Sequence, residues 1–129
     1  MADLNEMFNK FNDTKETTEE FDANDIENNK IMSIFSYISI LVLIPILAAK
    51  DSKYARFHAN QGLILLLVSV VVGIVIGVLG AIPFIGWIFG IAGGLIEILT
   101  IVLMVLGIIN AANGKAKELP LIGNITILK

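Results

Sequence analysis

The chain contains no cysteine, which excludes a disulfide framework, a thiolate metal site and thiol catalysis. It has one histidine, His58. A lone imidazole without cysteines or a nearby pair of acids is a poor metal-ligand set, so no metal site is expected. No basic patch with interleaved aromatics points to nucleic acid. Gly114-Lys115 lacks the upstream glycine and the following Ser or Thr of a phosphate-binding loop. No Ser-His-Asp arrangement is suggested either, so neither a catalytic set nor a cofactor is expected. Charge is nearly missing from the second half: between Gly62 and Gly114 the only charged side chain is Glu97.

What fills that space is hydrocarbon. Of the 129 residues, 56% are hydrophobic, more than a soluble domain of this length could hide from water. From Ile31 to Asn110 the apolar character is broken by one charged island, Lys50 to Gln61. The net charge of −3 hides a polarity along the chain. Nine of the twelve acids (Asp3, Glu6, Asp13, Glu16, Glu19, Glu20, Asp22, Asp25, Glu27) lie in residues 1–30. That acidic segment is expected to be a largely disordered tail, because it lacks the apolar surface to fold alone. Leu4, Met7, Phe8 and Phe11 nevertheless share one face at helical spacing. An acidic, polar start is unlike a cleavable signal, which needs a basic start and a short apolar run. The tail is therefore expected to be retained.

The fold class expected is all-α: a polytopic integral membrane protein with three transmembrane helices over residues 31–125, followed by a short end at 126–129. Span one covers 31–49, span two 62–82 and span three 87–109, each long enough to cross a hydrocarbon core of ~30 Å. Gly80-Ala81-Ile82-Pro83-Phe84-Ile85-Gly86 is strong turn punctuation and makes the last two spans a tight hairpin. Trp87 stands where an interfacial ring would sit. Pro45 bends the end of span one and leaves a re-entrant course open for it. Lys50, Lys53, Arg56, Lys115, Lys117 and Lys129 all fall on one side of a three-span layout. By the positive-inside rule that side is cytoplasmic, with the C-terminus inside and the N-terminus outside a plasma membrane.

Glycines recur at helical spacing, Gly73, Gly77 and Gly80 on span two and Gly86, Gly90 and Gly93 or Gly94 on span three. Small residues so spaced let helices approach closely in lipid, so both sets are expected at the helix interface.

Two groups of polar residues are candidates for chemistry. Glu97 lies near the middle of span three, and an ionised carboxylate there is costly unless paired. No base lies in any span. Antiparallel packing offers Ser69 and Ser39 at similar depth. This is a candidate ion or proton site, or else a neutral acid hydrogen-bonded within the bundle. The second group comprises Arg56, His58, Asn60, Gln61, Asn110, Asn113 and Lys115, which a hairpin brings to one membrane surface. Its expected role is to satisfy helix ends there, or to dock a partner or a lipid headgroup.

Several strings occur together: Ile44-Pro45, Lys50-Asp51-Ser52, Arg56 to Gly62, Ile82 to Trp87, Gly107 to Ala111, Gly114-Lys115 and Glu118 to Gly123. This ordered set resembles the small prokaryotic Tic-twenty-like membrane proteins, named for distant similarity to a chloroplast inner-envelope import component. The resemblance covers roughly residues 30–125 and implies a three-span helical protein without an established activity. The function expected is a non-enzymatic accessory or scaffold subunit in the lipid bilayer. It would bind a larger membrane partner in protein translocation, insertion or envelope homeostasis. The alternative is a homo-oligomeric ion or solute channel using Glu97.

Overall fold

A computed structural model describes residues 2–128. It is all-helical: α1 (Ala2–Phe11), a 3-10 turn (Thr18–Glu20), α2 (Ala23–Asn28), α3 (Lys30–Phe35), a second 3-10 turn (Ser39–Val42), α4 (Leu43–Ala48), α5 (Lys53–Gly80) and α6 (Gly86–Ala112).

The frame is the antiparallel pair α5 and α6. Ser52 caps α5, its hydroxyl accepting from the Ala55 backbone N–H at 3.0 Å, which satisfies a donor that the helix cannot. At ~1.5 Å per residue, both helices exceed the ~30 Å of a bilayer core. Among the described residues they are the two helices long and apolar enough to cross a membrane, and their apolar side chains are largely exposed. An apolar helix exposed on most sides is not a soluble core helix; its natural surroundings are lipid. The turn between them closes where Gly86 meets the Gly80 carbonyl. There the Trp87 indole N–H donates to the Phe84 carbonyl at 3.0 Å.

The first apolar stretch departs from the expected span. Residues 31–49 are not one helix but α3, a turn and α4. The backbone breaks at Ser39, whose φ of 49° lies in the left-handed region, and such a residue cannot continue a right-handed helix. Pro45 sits in the first turn of α4, where its missing N–H costs little. Six residues of helix reach only ~9 Å, so neither piece crosses. The stretch is instead a wedge that enters beside the hairpin and returns. Asp25, before it, and Ser52, after it, are hydrogen-bonded at 2.5 Å.

The wedge is seated by two glycines. The Ser36 carbonyl lies on Gly62, and the Tyr37 ring lies on Gly107; a Cβ at either position would overlap them. This corrects the expected helix interface in part. Gly80 and Gly86 do meet, and Gly93 lies against the Ile76 side chain of α5, but Gly73, Gly77, Gly90 and Gly94 have nothing within 4 Å of where a Cβ would be.

The acidic N-terminal segment, expected as a disordered tail, carries α1 and α2 and packs on the C-terminal strand-like stretch. Glu16 and Lys117 form an antiparallel bridge. Thr17 N–H donates to the Ala116 carbonyl at 2.8 Å, and Glu118 N–H donates to the Lys15 carbonyl at 2.8 Å. The two terminal segments therefore lie together at one end of the hairpin, where the expected three-span course put them on opposite sides. The packed core is at this same end: Tyr37, Leu65, Leu103, Leu106, Ala111 and Leu119.

Candidate functional site

Where the wedge, α5 and the C-terminal segment meet, a buried hydrogen-bond network forms. His58, in the second turn of α5, is fully buried. Its Nε2 lies 3.0 Å from the Lys115 carbonyl. A carbonyl only accepts, so Nε2 carries the proton, and Nδ1 accepts from the Tyr37 hydroxyl beside it. That assigns the neutral Nε2–H tautomer. The Tyr37 oxygen in turn accepts from the Gln61 amide at 2.8 Å. Gln61 Oε1 accepts from the Leu119 backbone N–H at 2.5 Å. Three side chains thus satisfy one another and main-chain groups of residues 115–119, as burial requires.

The ring system around it is tight. Tyr54 and His58 pack edge to face with centroids 4.8 Å apart, and Phe57 approaches the same imidazole at 5.1 Å. The Tyr54 hydroxyl donates to the Ala111 carbonyl at 3.0 Å. It thereby covers an open carbonyl at the end of α6, one of the groups a helix terminus leaves unpaired.

Of the seven residues expected to cluster here, His58 and Gln61 form the network directly. Asn60 points elsewhere: its amide holds residues 125–128, accepting from Ile127 N–H at 2.6 Å and donating to the Ile125 carbonyl at 2.7 Å. Lys115 contributes its carbonyl and not its ammonium group. Asn110 contributes its own carbonyl, which accepts from Lys115 N–H at 2.9 Å. Its side-chain nitrogen is buried with no partner among the described residues. Asn113 is the exposed C-cap of α6, outside the network. Arg56 lies on α5 beside it and lines a neighbouring cavity.

Three residues central to the arrangement were not singled out from the sequence. Tyr37 is the hub, and the signal for it was a phenol within an apolar stretch. Tyr54 closes α6. Asp25 ties α2 to α5: one carboxylate oxygen accepts from the Ser52 hydroxyl at 2.5 Å and the other from Tyr54 N–H at 3.0 Å.

Glu97, Ser69 and Ser39 line a single cleft of about 180 Å³, together with Thr100 and Tyr37. The tip of the wedge brings Ser39 there. The Glu97 side chain is exposed on the flank of α6, and Thr100 donates to the Ile96 carbonyl of its own helix at 3.0 Å. Among the described residues no three His, Asp or Glu side chains gather as metal ligands.

The sequence matches the model of the magnetosome magnetite crystal formation protein family over residues 28–126. It is 34% identical over 99 residues to the magnetosome protein MamF of Paramagnetospirillum magneticum, covering 76% of this chain and 82% of the relative. It is 32% identical over 93 residues to the magnetosome protein MmsF of the same organism, covering 71% and 79%. A UPF0132 membrane protein of Methanocaldococcus jannaschii is 37% identical over 83 residues, covering 64% of this chain and 55% of that one. No solved structure matches. These matches overturn the Tic-twenty-like resemblance: the strings that suggested it lie within the stretch that the magnetosome family model describes. The matched region holds the wedge, the hairpin and most of the C-terminal segment, and leaves the acidic segment outside it.

Proposed function

Since the chain belongs to the magnetosome magnetite crystal formation protein family, we propose that it is a small non-enzymatic membrane scaffold that supports mineral formation at a membrane surface. The observation that carries this reading is the Tyr37–His58–Gln61 network. It spends its polar groups on holding residues 115–119 in place, which is the work of building a surface and not of turning over a substrate. That end of the hairpin also carries Lys50, Lys53, Arg56, Lys115 and Lys117, whereas the turn at 81–85 carries no charge. The positive-inside rule then puts both terminal segments in the cytoplasm. Partners would bind this folded face, either a larger membrane protein or further copies of the chain.

The test is complementation. In a magnetite-forming bacterium lacking its own MamF- and MmsF-type proteins, this chain should restore crystal formation seen by electron microscopy. His58→Ala with Gln61→Ala should not restore it, although the protein still inserts. Restoration by the double variant, or failure by the wild type, would sink the scaffold reading.

A second reading has one observation in its favour, the cleft that holds Glu97, Ser69 and Ser39. In it, several copies assemble around Glu97 and conduct an ion. Two spans per chain are too few to enclose a polar path alone. Flux in reconstituted vesicles that Glu97→Gln abolishes would favour conduction; no flux in the wild type would end it.

A further inference from the structure

Beside the network, between the start of α5 and the two terminal segments, lies a cavity of about 420 Å³. Lys53, Arg56, Glu118 and Thr126 line it, together with the rings of Phe21 and Phe57. The two rings pack edge to face at 5.7 Å, which fixes that part of the wall. Asn60, which also borders the cavity, is consumed in holding residues 125–128.

The depth of the cavity identifies its surroundings. If the uncharged run from Gly62 to Gly80 fills the hydrocarbon core, Arg56 lies ~9 Å beyond its edge at ~1.5 Å per residue. That is the level of lipid phosphates, not of bulk water. Lys53 and Arg56 are three residues apart on the same face of α5, so both can reach one anion. Arg56 already has a partner within the chain, but a guanidinium carries five donors in a planar fork and serves more than one acceptor. Among the lining side chains, these two cations accompany the single carboxylate of Glu118.

We propose that this cavity binds the headgroup of an anionic phospholipid. The phosphodiester sits between Lys53 and Arg56. The polar end of a hydroxylated headgroup, such as phosphatidylglycerol, donates to the Glu118 carboxylate. The first acyl carbons leave past Phe21 and Phe57. The Glu118 carboxylate on the lining favours a singly charged phosphodiester with a hydroxyl to donate over a doubly ionised phosphate monoester, which it would repel. The assignment is independent of mineral formation and of conduction through Glu97.

The full chain, reconstituted in vesicles of equal phosphatidylglycerol and phosphatidylcholine, is released into mild detergent and weighed by native mass spectrometry. Retained lipid should be enriched in phosphatidylglycerol over phosphatidylcholine. The enrichment should fall about fivefold for Lys53→Gln, and about as much again when Arg56→Gln is added, as expected for a basic group at a membrane surface. Glu118→Gln should keep the preference for anionic lipid but lose the distinction between phosphatidylglycerol and phosphatidic acid. Lys115→Gln and Lys117→Gln, basic residues outside the cavity, serve as charge controls and should change nothing. Equal enrichment in all variants would overturn the proposal. So would an equal loss for the control pair, since that reports general surface charge. Displacement of the lipid by soluble glycerol phosphate at matched concentration would reassign the cavity to a soluble phosphate, and also overturn it.

Discussion

The Tyr37 hydroxyl donates to His58 Nδ1, and this contact joins the wedge to α5. Both side chains are buried, and each is positioned by a second element: Tyr37 by Gly107 of α6, His58 by the Lys115 carbonyl. The pair therefore binds four parts of the chain together. Tyr37→Phe keeps the ring against Gly107 but leaves the imidazole acceptor and one Gln61 donor without their partner. The expected cost is about 1–3 kcal/mol, the range for orphaning a buried polar group. Thermal unfolding in detergent micelles measures it. A Tyr37→Phe protein as stable as wild type would mean that the network does not hold the wedge.

The glycines divide into two classes that substitution by alanine separates. At Gly62 and Gly107 a Cβ meets the Ser36 carbonyl and the Tyr37 ring, and overpacking of that kind costs about 1–3 kcal/mol. At Gly73, Gly77, Gly90 and Gly94 the space is open, so alanine should leave stability unchanged or raise it, with a helix gain of up to ~1 kcal/mol each. Unfolding midpoints of the six single variants decide this. A loss at Gly73 or Gly90 comparable to that at Gly107 would show that a further surface covers the outer faces.

The sequence made the hairpin legible because a long uncharged run was cut once, at Gly80, Pro83 and Gly86. It leaves the wedge open as an alternative, through Pro45, without deciding for it. Hydropathy is the same for an apolar segment that crosses and for one that turns back, and the break at Ser39 is a backbone angle that no composition announces. Helical spacing tells which glycines share a face, but not which face meets a neighbour, so it does not distinguish Gly62 and Gly107 from the others. For the site, His58 and Gln61 stood out as polar residues entering an apolar helix. Their partners are main-chain groups of residues 115–119, which leave no side-chain pattern to find. Tyr37 was hidden for a related reason: it lies 21 residues from His58, on a segment expected to run elsewhere.

Asp25 is the hinge between the acidic segment and the membrane domain. Its carboxylate accepts from the Ser52 hydroxyl, from Tyr54 N–H and from the Asn29 amide at 2.9 Å. Asp25→Ala should release α2 from the start of α5, at a cost of about 1–3 kcal/mol for the lost bonds to a half-exposed carboxylate. Lys10 and Lys15 then become better trypsin sites, while α5 and α6 keep their unfolding temperature. Quantified limited proteolysis in micelles gives the answer. Unchanged cleavage rates at both lysines would show that the segment is held by its contacts to residues 116–118 alone.

The course of residues 31–49 has a direct consequence for topology. A wedge that returns puts Asn24 and Asn113 on the same side of the membrane and Phe84, at the tip of the hairpin turn, on the other. The absence of cysteine makes the experiment clean, because Asn24→Cys, Asn113→Cys and Phe84→Cys each introduce the sole thiol. Asn24 and Asn113 are exposed, and Phe84 is 97% exposed, so access of reagent is not limited by packing. A membrane-impermeant maleimide added to sealed, oriented vesicles should label the first two from one face and Phe84→Cys from the opposite face. Labelling of Asn24→Cys and Asn113→Cys from opposite faces would restore a third crossing. It would then also require the hydrogen bonds between Asp25 and Ser52 and between Thr17 and Ala116 to be broken in the membrane, since neither pair can span a bilayer.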